Sequence, residues 1–366
     1  MAKHNAANTR IKRVYFDYLE HAQRRHEASI DQVAKAISRF EEGTGFKDFK
    51  KFHREQAKAF KLKLSTTMNA RTGKLLSRAT VHSTLSALRA FFIWLAGQPG
   101  YKSKISYSDA DYFNLSEKEV RIAKATREKP VPTLEQVHHV LTTMPAESDI
   151  ERRDRALIAL ALLTGARAAA LASFKLKHID LKGGCINQDA REVKTKNSKT
   201  FTTWFCPVGG DALQIVTDWC DYLRKDLLWS EDDPLFPKTQ IGIGEQGAFA
   251  AMGLAREPWS GTGAIRTIYK QAFKAAGLSY FNPHCFRNVL TTLGERICTT
   301  VEEMKAWSQN VGHNNVMTTL MNYGAVPATK QAELIRGMAD RQSSTDEEAK
   351  LAAEIASLMR KHRNVA

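Results

Sequence analysis

Five residues in the second half of this chain have types and spacings that suit phosphate chemistry. They are Arg167 after the apolar run LLTGA, His284 and Arg287 in the sequence PHCFR, and His313 and Tyr323 in GHNNVMTTLMNY. Guanidinium groups match phosphate oxygens with paired hydrogen bonds and stay charged at any physiological pH. Together with two histidines and a tyrosine, they predict a site that handles a phosphodiester and stabilises the charge that builds on its non-bridging oxygens.

Each of these residues also has a simpler interpretation when it is taken alone. An arginine at a helix end is more often a cap or a surface residue, a His-x-x-Arg pair is common by chance, and a single tyrosine is more often part of a core. The prediction therefore depends on all five occurring together and in order. His284 and Arg287 are one helical turn apart, so a helix would present both on one face.

In this order and context, the sequence resembles the tyrosine site-specific recombinases, or phage-integrase family. The resemblance follows the whole chain in domain order and is most specific in three segments: LLTGARAAALASFKLKHIDL, PHCFRNVLTTL and VGHNNVMTTLMNYG. It implies that Tyr323 attacks the scissile phosphate, forms a 3′-phosphotyrosyl bond and releases a 5′-hydroxyl, without metal or nucleotide cofactor. It also implies that Arg167 and Arg287 hold the phosphate, that His284 assists proton transfer, and that His313 binds a non-bridging oxygen.

The resemblance further implies a lysine on a β-hairpin that protonates the leaving 5′ oxygen. The segment VKTKNSKTFTTWFCP offers Lys194, Lys196 and Lys199. Lys199 has the family-like spacing to the proline that ends the second strand, whereas Lys196 is nearer to the predicted end of the first strand. The prediction is Lys199 or Lys196, and the sequence leaves that choice open.

The sequence departs from the family pattern in three places. Ala170 stands where an acidic residue often follows the first arginine, and Asn288 stands where a histidine is frequent. Both differences change the hydrogen-bond network expected around the arginines. The interval from His313 to Tyr323 is one residue longer than usual, and we expect a looped or delayed tyrosine segment to absorb the difference.

The elements that must position these residues divide into four predicted parts. Residues 1–119 form a helical DNA-clamp domain, 120–133 a linker, 134–340 a catalytic domain, and 341–366 an amphipathic helix. That last helix packs either on a neighbouring protomer or on its own domain. The predicted fold is mainly α with a small β-sheet or hairpin. The resemblance implies a SAM-like core-binding domain at the N-terminus and a mixed α/β catalytic domain after it.

Local patterns support these elements. In ATVHSTLSALRAFFIWLAGQPG, apolar residues recur at three- and four-residue spacing and predict a helix that GQPG ends. Thr133 and Gln136 have the spacing of a capping box at the start of TLEQVHHVLTTMP. Polar KNSK, between residues with strand propensity, predicts the turn of a hairpin.

Positive charge is concentrated in the first third of the chain. Residues 1–130 hold 26 Lys and Arg against 13 Asp and Glu, a net +13 of the whole chain's +15. This asymmetry indicates a polyanion partner, of which nucleic acid is the commonest. The predicted DNA-binding residues are Lys50, Lys51, Arg54, Lys58, Lys61, Lys63, Arg71, Lys74 and Arg78.

Composition narrows the class of protein. A 43% hydrophobic and 25% charged chain, with no apolar run of membrane-spanning length and no signal-peptide core, predicts a soluble protein of the cytoplasm or nucleoid. The five cysteines form no CxxC pair and favour reduced thiols over disulfides or zinc. The absence of a suitable carboxylate cluster disfavours a metal-dependent nuclease.

These observations predict a site-specific DNA recombinase of a mobile element. Its expected partners are double-stranded DNA, further copies of the chain in a tetramer, and accessory DNA-bending proteins, with no membrane. A chromosome-dimer resolvase, a type IB topoisomerase that acts without a synapse, and a catalytically silent DNA-binding accessory protein are the alternatives.

Overall fold

The computed structural model of the chain describes residues 4–70, 72–125, 130–244 and 247–312. The chain forms two compact units, Met1–Thr126 and Arg127–Ala366. The fold is mainly helical with two small antiparallel sheets, which confirms the predicted fold class. No helix of the described residues is long and apolar enough to span a membrane.

The first unit is helical. Its helices are α1 (Ala6–Asp17), α2 (Glu27–Gly43), α3 (Arg54–Thr66), α4 (Arg78–Ala96) and α5 (Glu117–Lys124), with short 3₁₀ turns at Phe49–Lys51 and Tyr107–Phe113. Helix α4 confirms the helix predicted from apolar spacing: Ser77 caps it, and it ends at Ala96 before the GQPG sequence. The apolar face that was predicted is buried.

Aromatic rings fill the centre of this unit. Phe92 of α4 is fully buried and packs against Phe40, Phe52 and Phe113, with ring centroids 4.1 to 5.3 Å away. Burying one such side chain contributes roughly 1.5–3 kcal/mol, so this cluster is a large part of the core energy. The rings join α2 and α4 to the 3₁₀ turn at Tyr107–Phe113.

Part of the segment predicted as a linker is helical. Residues 120–124 form the second half of α5, which starts at a capping box: Glu119 N–H donates to Ser116 Oγ, and Ser116 N–H donates to Glu119 Oε2. Sequence periodicity missed this helix because no residue of α5 is buried. A helix on the surface of a unit does not need an apolar stripe.

The second unit contains both sheets. Its helices are α6 (Leu134–Thr143), α7 (Asp149–Thr164), α8 (Ala168–Leu171), α9 (Ala212–Asp221), α10 (Gly263–Ala275), α11 (Cys285–Ile297) and α12 (Val301–Asn310). Its strands are β1 (Ile179–Asp180), β2 (Cys185–Gln188), β3 (Phe201–Trp204), β4 (Pro237–Ile243) and β5 (Phe249–Pro258). Helix α6 begins at the predicted Thr133–Gln136 capping box.

Helix α7 is the centre of this unit. All residues from Ala156 to Thr164 are buried, so the helix is apolar on every side, as is typical of a helix enclosed by others. It packs mainly against α9, and also contacts α6, α11 and β5. A left-handed Gly165, with φ +58°, ends the helix and turns the chain toward Arg167.

The predicted hairpin exists, but its turn is longer than the sequence suggested. Strands β2 and β3 pair antiparallel from Cys185 opposite Trp204 to Gln188 opposite Phe201, and β1 pairs with the other side of β2. Residues 189–200 connect the two strands, and the KNSK sequence lies near the end of this connection. The lysines therefore belong to a long connection, and Lys196 does not lie near the end of the first strand.

A second ribbon, β4 paired with β5, was not predicted from the sequence. Its pairing changes register twice, and its outer part carries exposed apolar side chains, among them Ile243 and Phe249. Arg153 of α7 holds the base of the ribbon by donating to the Pro237 carbonyl at 2.9 Å and to Thr239 Oγ1 at 3.0 Å. The predicted amphipathic helix at 341–366 lies outside the described residues.

Candidate active site

Arg287 is the central side chain of the site. It lies in the first turn of α11 and is only 3% exposed. Its Nη1 donates to the Gly165 carbonyl at 2.8 Å, and its Nη2 donates to the Val311 carbonyl. One guanidinium thus joins three segments: the start of α11, the turn before Arg167, and the turn before His313.

Gly165 allows the turn before Arg167 to approach α11. A Cβ at this position would lie 3.0 Å from Leu290 Cδ1 and 3.3 Å from Arg287 Cγ, and the residue has positive φ. Both facts favour glycine here. Arg167 follows with extended backbone as the N-cap residue of α8, and its side chain is half-buried.

The two arginines form a positive site. Burial, and next to it the charge of the neighbouring Arg167, lowers the pKa of Arg287 to about 9. Burial also lowers the pKa of Arg167. Within the described residues, neither guanidinium has a carboxylate partner, and Arg287 Nε is buried without a hydrogen bond. A buried and a half-buried cation, without a carboxylate partner among the described residues, favour the binding of an anion.

His284 precedes Arg287 by one turn, as the sequence predicted, but the two side chains differ in exposure. His284 is the residue before α11 and is exposed, whereas Arg287 is buried. The backbone N–H of His284 donates to Asn282 Oδ1 at 3.0 Å. The imidazole therefore lies at the protein surface, at the start of the helix that carries Arg287.

The residues that depart from the family pattern contribute no charge to this site. Ala170 is buried in α8, so its methyl group occupies a place in the core. Asn288 is half-buried on α11. Neither residue supplies a carboxylate or an imidazole, and Arg287 donates to two main-chain carbonyls.

The end of α12 brings Val311 and Gly312, the first two residues of the last predicted segment, to Arg287 and Phe201. Val311 and Gly312 are buried, and Gly312 has φ +71°. A Cβ on Gly312 would lie 2.9 Å from the ring of Phe201, so the chain passes directly over this residue of β3. The predicted His313 and Tyr323 follow in sequence and lie outside the described residues.

The three candidate lysines differ in their surroundings. Lys194 and Lys196 are exposed, whereas Lys199 is half-buried. Lys199 Nζ lies 5.5 Å from the centroid of the Phe201 ring, the ring against which Gly312 packs. The structure therefore brings Lys199 next to the segment that leads to His313.

The predicted DNA-binding residues lie on the first unit. Lys50 and Lys51 are in the 3₁₀ turn before α3, four more lie on α3, Lys74 is in the following loop, and Arg78 starts α4. All of these are exposed except Lys61, which is half-buried, and Arg71 lies outside the described residues.

Three of these residues form one face of α3. Arg54, Lys58 and Lys61, which we call the α3 basic face, follow each other at four- and three-residue spacing. The charges of Arg54 and Lys58 lie 6.0 and 5.5 Å from the centroid of the Tyr112 ring, and Lys61 Nζ donates to the Asn114 carbonyl at 2.9 Å. These contacts restrain the side chains of the α3 basic face.

Comparison with known proteins identifies the family. The model of the phage integrase family matches residues 130–329, more than half of the chain. The chain belongs to the phage integrase family. This recombinase is 26% identical over 250 residues to tyrosine recombinase XerC of Escherichia coli O1:K1, a match that covers 67% of this chain and 70% of XerC. The predicted recognition and the enzyme class, DNA strand cleavage and rejoining, are confirmed.

Solved structures of low identity share the fold of the recombinase. A lambda integrase dimer bound to a COC′ core site matches with a TM-score of 0.58 and 16% identity, over 88% of this chain and 96% of that one. The Tn1549 transposon integrase in complex with transposon right end DNA matches with a TM-score of 0.56 and 16% identity, over 90% and 99%.

Sequence reasoning missed the residues that join the segments of the site. The segments are brought together by main-chain and side-chain amide contacts of Gly165, Val311 and Asn310. Contacts of this kind leave no pattern of residue types in the sequence. One signal was available: Gly165 and Gly312 each stand one or two residues before a predicted site residue. A glycine in such a place often marks a turn with positive φ.

Proposed function

We propose that this recombinase integrates or excises a mobile genetic element by cleaving and rejoining DNA strands through a 3′-phosphotyrosyl intermediate. The observation that carries the proposal is the hydrogen bonding of Arg287. Its guanidinium ties the turn before Arg167 to the turn before His313. Three of the segments expected to hold the phosphate thus meet at one buried cation without a carboxylate counter-ion among the described residues.

In the proposed reaction, Tyr323 attacks the scissile phosphorus and the bond to the 5′ oxygen breaks. Arg167 and Arg287 stabilise the negative charge on the non-bridging oxygens, which is where buried and preorganised charge lowers the barrier most. His313 donates a hydrogen bond to one of these oxygens, and the exposed His284 assists proton transfer. The phosphodiester energy is kept in the covalent bond, so rejoining requires no ATP.

We assign the proton donor for the leaving 5′ oxygen to Lys199. It is the half-buried lysine of the three, and it lies over the Phe201 ring against which Gly312 packs. Lys194 and Lys196 are exposed in the long β2–β3 connection. A proton donor must reach the leaving group at hydrogen-bond distance, and the contacts of Lys199 favour it for this role.

The proposed partner is double-stranded DNA carrying a specific recombination site, contacted by the basic residues of the first unit. A tetramer of the chain would form the synapse, with accessory DNA-bending proteins, in the cytoplasm of a bacterial host. Support comes from the charge of residues 1–130 and from the DNA complexes and the dimer among the related structures.

A covalent-trapping experiment tests this function. The wild-type chain selects binding sites from a randomised duplex library, and the selected site is then supplied as a nicked duplex without metal. We expect a protease-sensitive covalent complex on a denaturing gel with wild type and none with Tyr323→Phe, whereas both variants shift the DNA on a native gel. Binding without a covalent complex would favour a silent accessory protein. Relaxation of supercoiled DNA without exchange of strands would favour a topoisomerase.

A further inference from the structure

Asn310, the last residue of α12, makes an unusual contact with strand β3. Its Oδ1 accepts a hydrogen bond from the Trp204 N–H at 2.7 Å, and its Nδ2 donates to the Trp204 carbonyl at 2.9 Å. Both main-chain groups of one strand residue are thus bound by one amide side chain. Trp204 has these groups available because β3 is an edge strand, paired with β2 on its other side.

The main chain of Asn310 is bound to the same strand. Its carbonyl accepts from Thr203 Oγ1 at 3.2 Å, and that hydroxyl in turn accepts from Gln188 Nε2 at 2.8 Å. Thr203 and Gln188 are 1% and 5% exposed. Asn310 is therefore attached to the hairpin by three hydrogen bonds, one of which continues to strand β2.

These bonds fix the position of the next two residues. Val311 supplies the carbonyl that binds Arg287, and Gly312 packs on the ring of Phe201. Phe201 also lies under the Lys199 ammonium group. The contact between Asn310 and β3 thus holds the strand that follows Lys199 against the segment that orients Arg287.

We propose that Asn310 is a positioning residue for DNA cleavage and rejoining, which holds Lys199 in register with the phosphate-binding arginine. This inference rests on the proposed function. It assigns to Asn310 no contact with the substrate. Because a displacement of about 1 Å can cost a reaction on the order of 10²-fold, a side chain that sets the distance between two elements can control the rate without touching the reacting atoms.

The test compares two leaving groups. The selected DNA site is prepared as a nicked duplex with an ordinary phosphodiester, or with sulfur in place of the bridging 5′ oxygen. The phosphorus–sulfur bond breaks without protonation of the leaving group, because a thiolate is far more stable than an alkoxide. A defect in the positioning of the proton donor is therefore rescued by sulfur, whereas a general loss of structure is not.

The variants are Asn310→Ala, which removes the amide, and Asn310→Asp, which keeps the acceptor for Trp204 N–H and replaces the donor by an oxygen. Gln309→Ala, at the exposed neighbouring position, is the matched control, and Lys199→Ala reports the loss of the proton donor itself. We expect both Asn310 variants to cleave the ordinary site roughly 10- to 100-fold more slowly and the sulfur site less than about threefold more slowly. Lys199→Ala should lose roughly 10²-fold or more on the ordinary site and recover on sulfur.

A measurement without DNA tests the contact directly. Hydrogen exchange at the Trp204 amide should become faster in Asn310→Ala and stay unchanged in Gln309→Ala. The inference is overturned by unchanged exchange, by unchanged cleavage in the Asn310 variants, or by equal losses on the two substrates. Cleavage that Lys199→Ala leaves intact also overturns it, because Asn310 would then position no proton donor. A wild type that cleaves neither substrate contradicts the proposed function as well.

Discussion

At the scale of single residues, the site combines two cations that repel each other. The arrangement of Arg167 beside Arg287 costs stability in the absence of an anion, since both are at least partly buried and neither has a carboxylate partner among the described residues. Functional sites commonly contain such unfavourable arrangements, and substitutions there often stabilise the fold.

The first prediction is that Arg167→Met raises the stability of the second unit while it abolishes cleavage. Methionine keeps the apolar stem and removes the charge beside Arg287, so we expect the free energy of unfolding to rise by about 0.5–1 kcal/mol. Thermal unfolding followed by tryptophan fluorescence measures this change, because five of the six tryptophans lie in Arg127–Ala366. A lower Tm in Arg167→Met would show that the charge pair does not strain the fold.

The second prediction concerns Gly165. Alanine at this position must adopt a left-handed backbone and also crowd Leu290 and Arg287, so we expect a loss of about 2 kcal/mol together with slower cleavage. Gly277→Ala is the control: Gly277 follows α10 with φ +70°, and a Cβ there meets nothing within 4 Å. That variant should lose about 1 kcal/mol and keep full cleavage. Equal effects of the two variants would argue against a close approach at Gly165.

At the scale of elements, local patterns were readable from the sequence and long-range contacts were not. The apolar face of α4 and the Thr133 cap of α6 depend on neighbours within a few positions, so the sequence predicted both. The contact of Asn310 with Trp204 joins residues 106 positions apart and has no local pattern. The ribbon of β4 and β5 was missed because its sequence does not alternate regularly and its register shifts.

The connection between β2 and β3, which carries the lysines, is anchored near its start by ion pairs. Glu192 lies 2.9 Å from Lys177 Nζ and 3.4 Å from His178 Nε2, and the Nδ1 of His178 accepts the Lys175 N–H at 2.9 Å. Burial lowers the pKa of His178 below its ordinary value, and the charge of Glu192 only partly opposes this effect.

The third prediction is therefore that acid destabilises the fold through the burial of His178. In the native state His178 stays neutral at pH values where the unfolded chain has already bound a proton, so stability is lost as the pH falls below the ordinary histidine pKa of about 6.5. We expect the Tm to fall more steeply between pH 7.5 and 5.5 in the wild type than in His178→Gln. Parallel curves of Tm against pH for the two proteins would contradict a lowered pKa of His178. The other histidines are common to both proteins and affect both curves equally.

At the scale of the whole molecule, charge and chemistry belong to different units. The first unit, residues 1–126, carries a net charge of +12 of the whole chain's +15, whereas the predicted catalytic residues all lie in the second unit. This division predicts that substitutions in the first unit change the affinity for DNA, and that substitutions around Arg287 change the rate of cleavage. Composition alone predicted the partner class, because counting charges requires no knowledge of the fold.

The fourth prediction is that the α3 basic face contributes the salt dependence of DNA binding. Replacing Arg54, Lys58 and Lys61 together by alanine should reduce the slope of log Kd against log salt concentration by about two to three, roughly one for each phosphate contact that is lost. A double variant of Lys270 and Lys274 on α10 serves as the control. An unchanged slope in the triple variant would mean that this face does not contact phosphate.

The central claim, that the chain joins itself to DNA through a tyrosine at the arginine site, is tested most directly by locating the covalent bond. The trapped complex is digested with nuclease and protease, and the peptide that carries the remaining nucleotide is sequenced by mass spectrometry. We predict a nucleotide attached through its 3′ phosphate to Tyr323. Attachment to any other residue, or through a 5′ phosphate, would contradict the account.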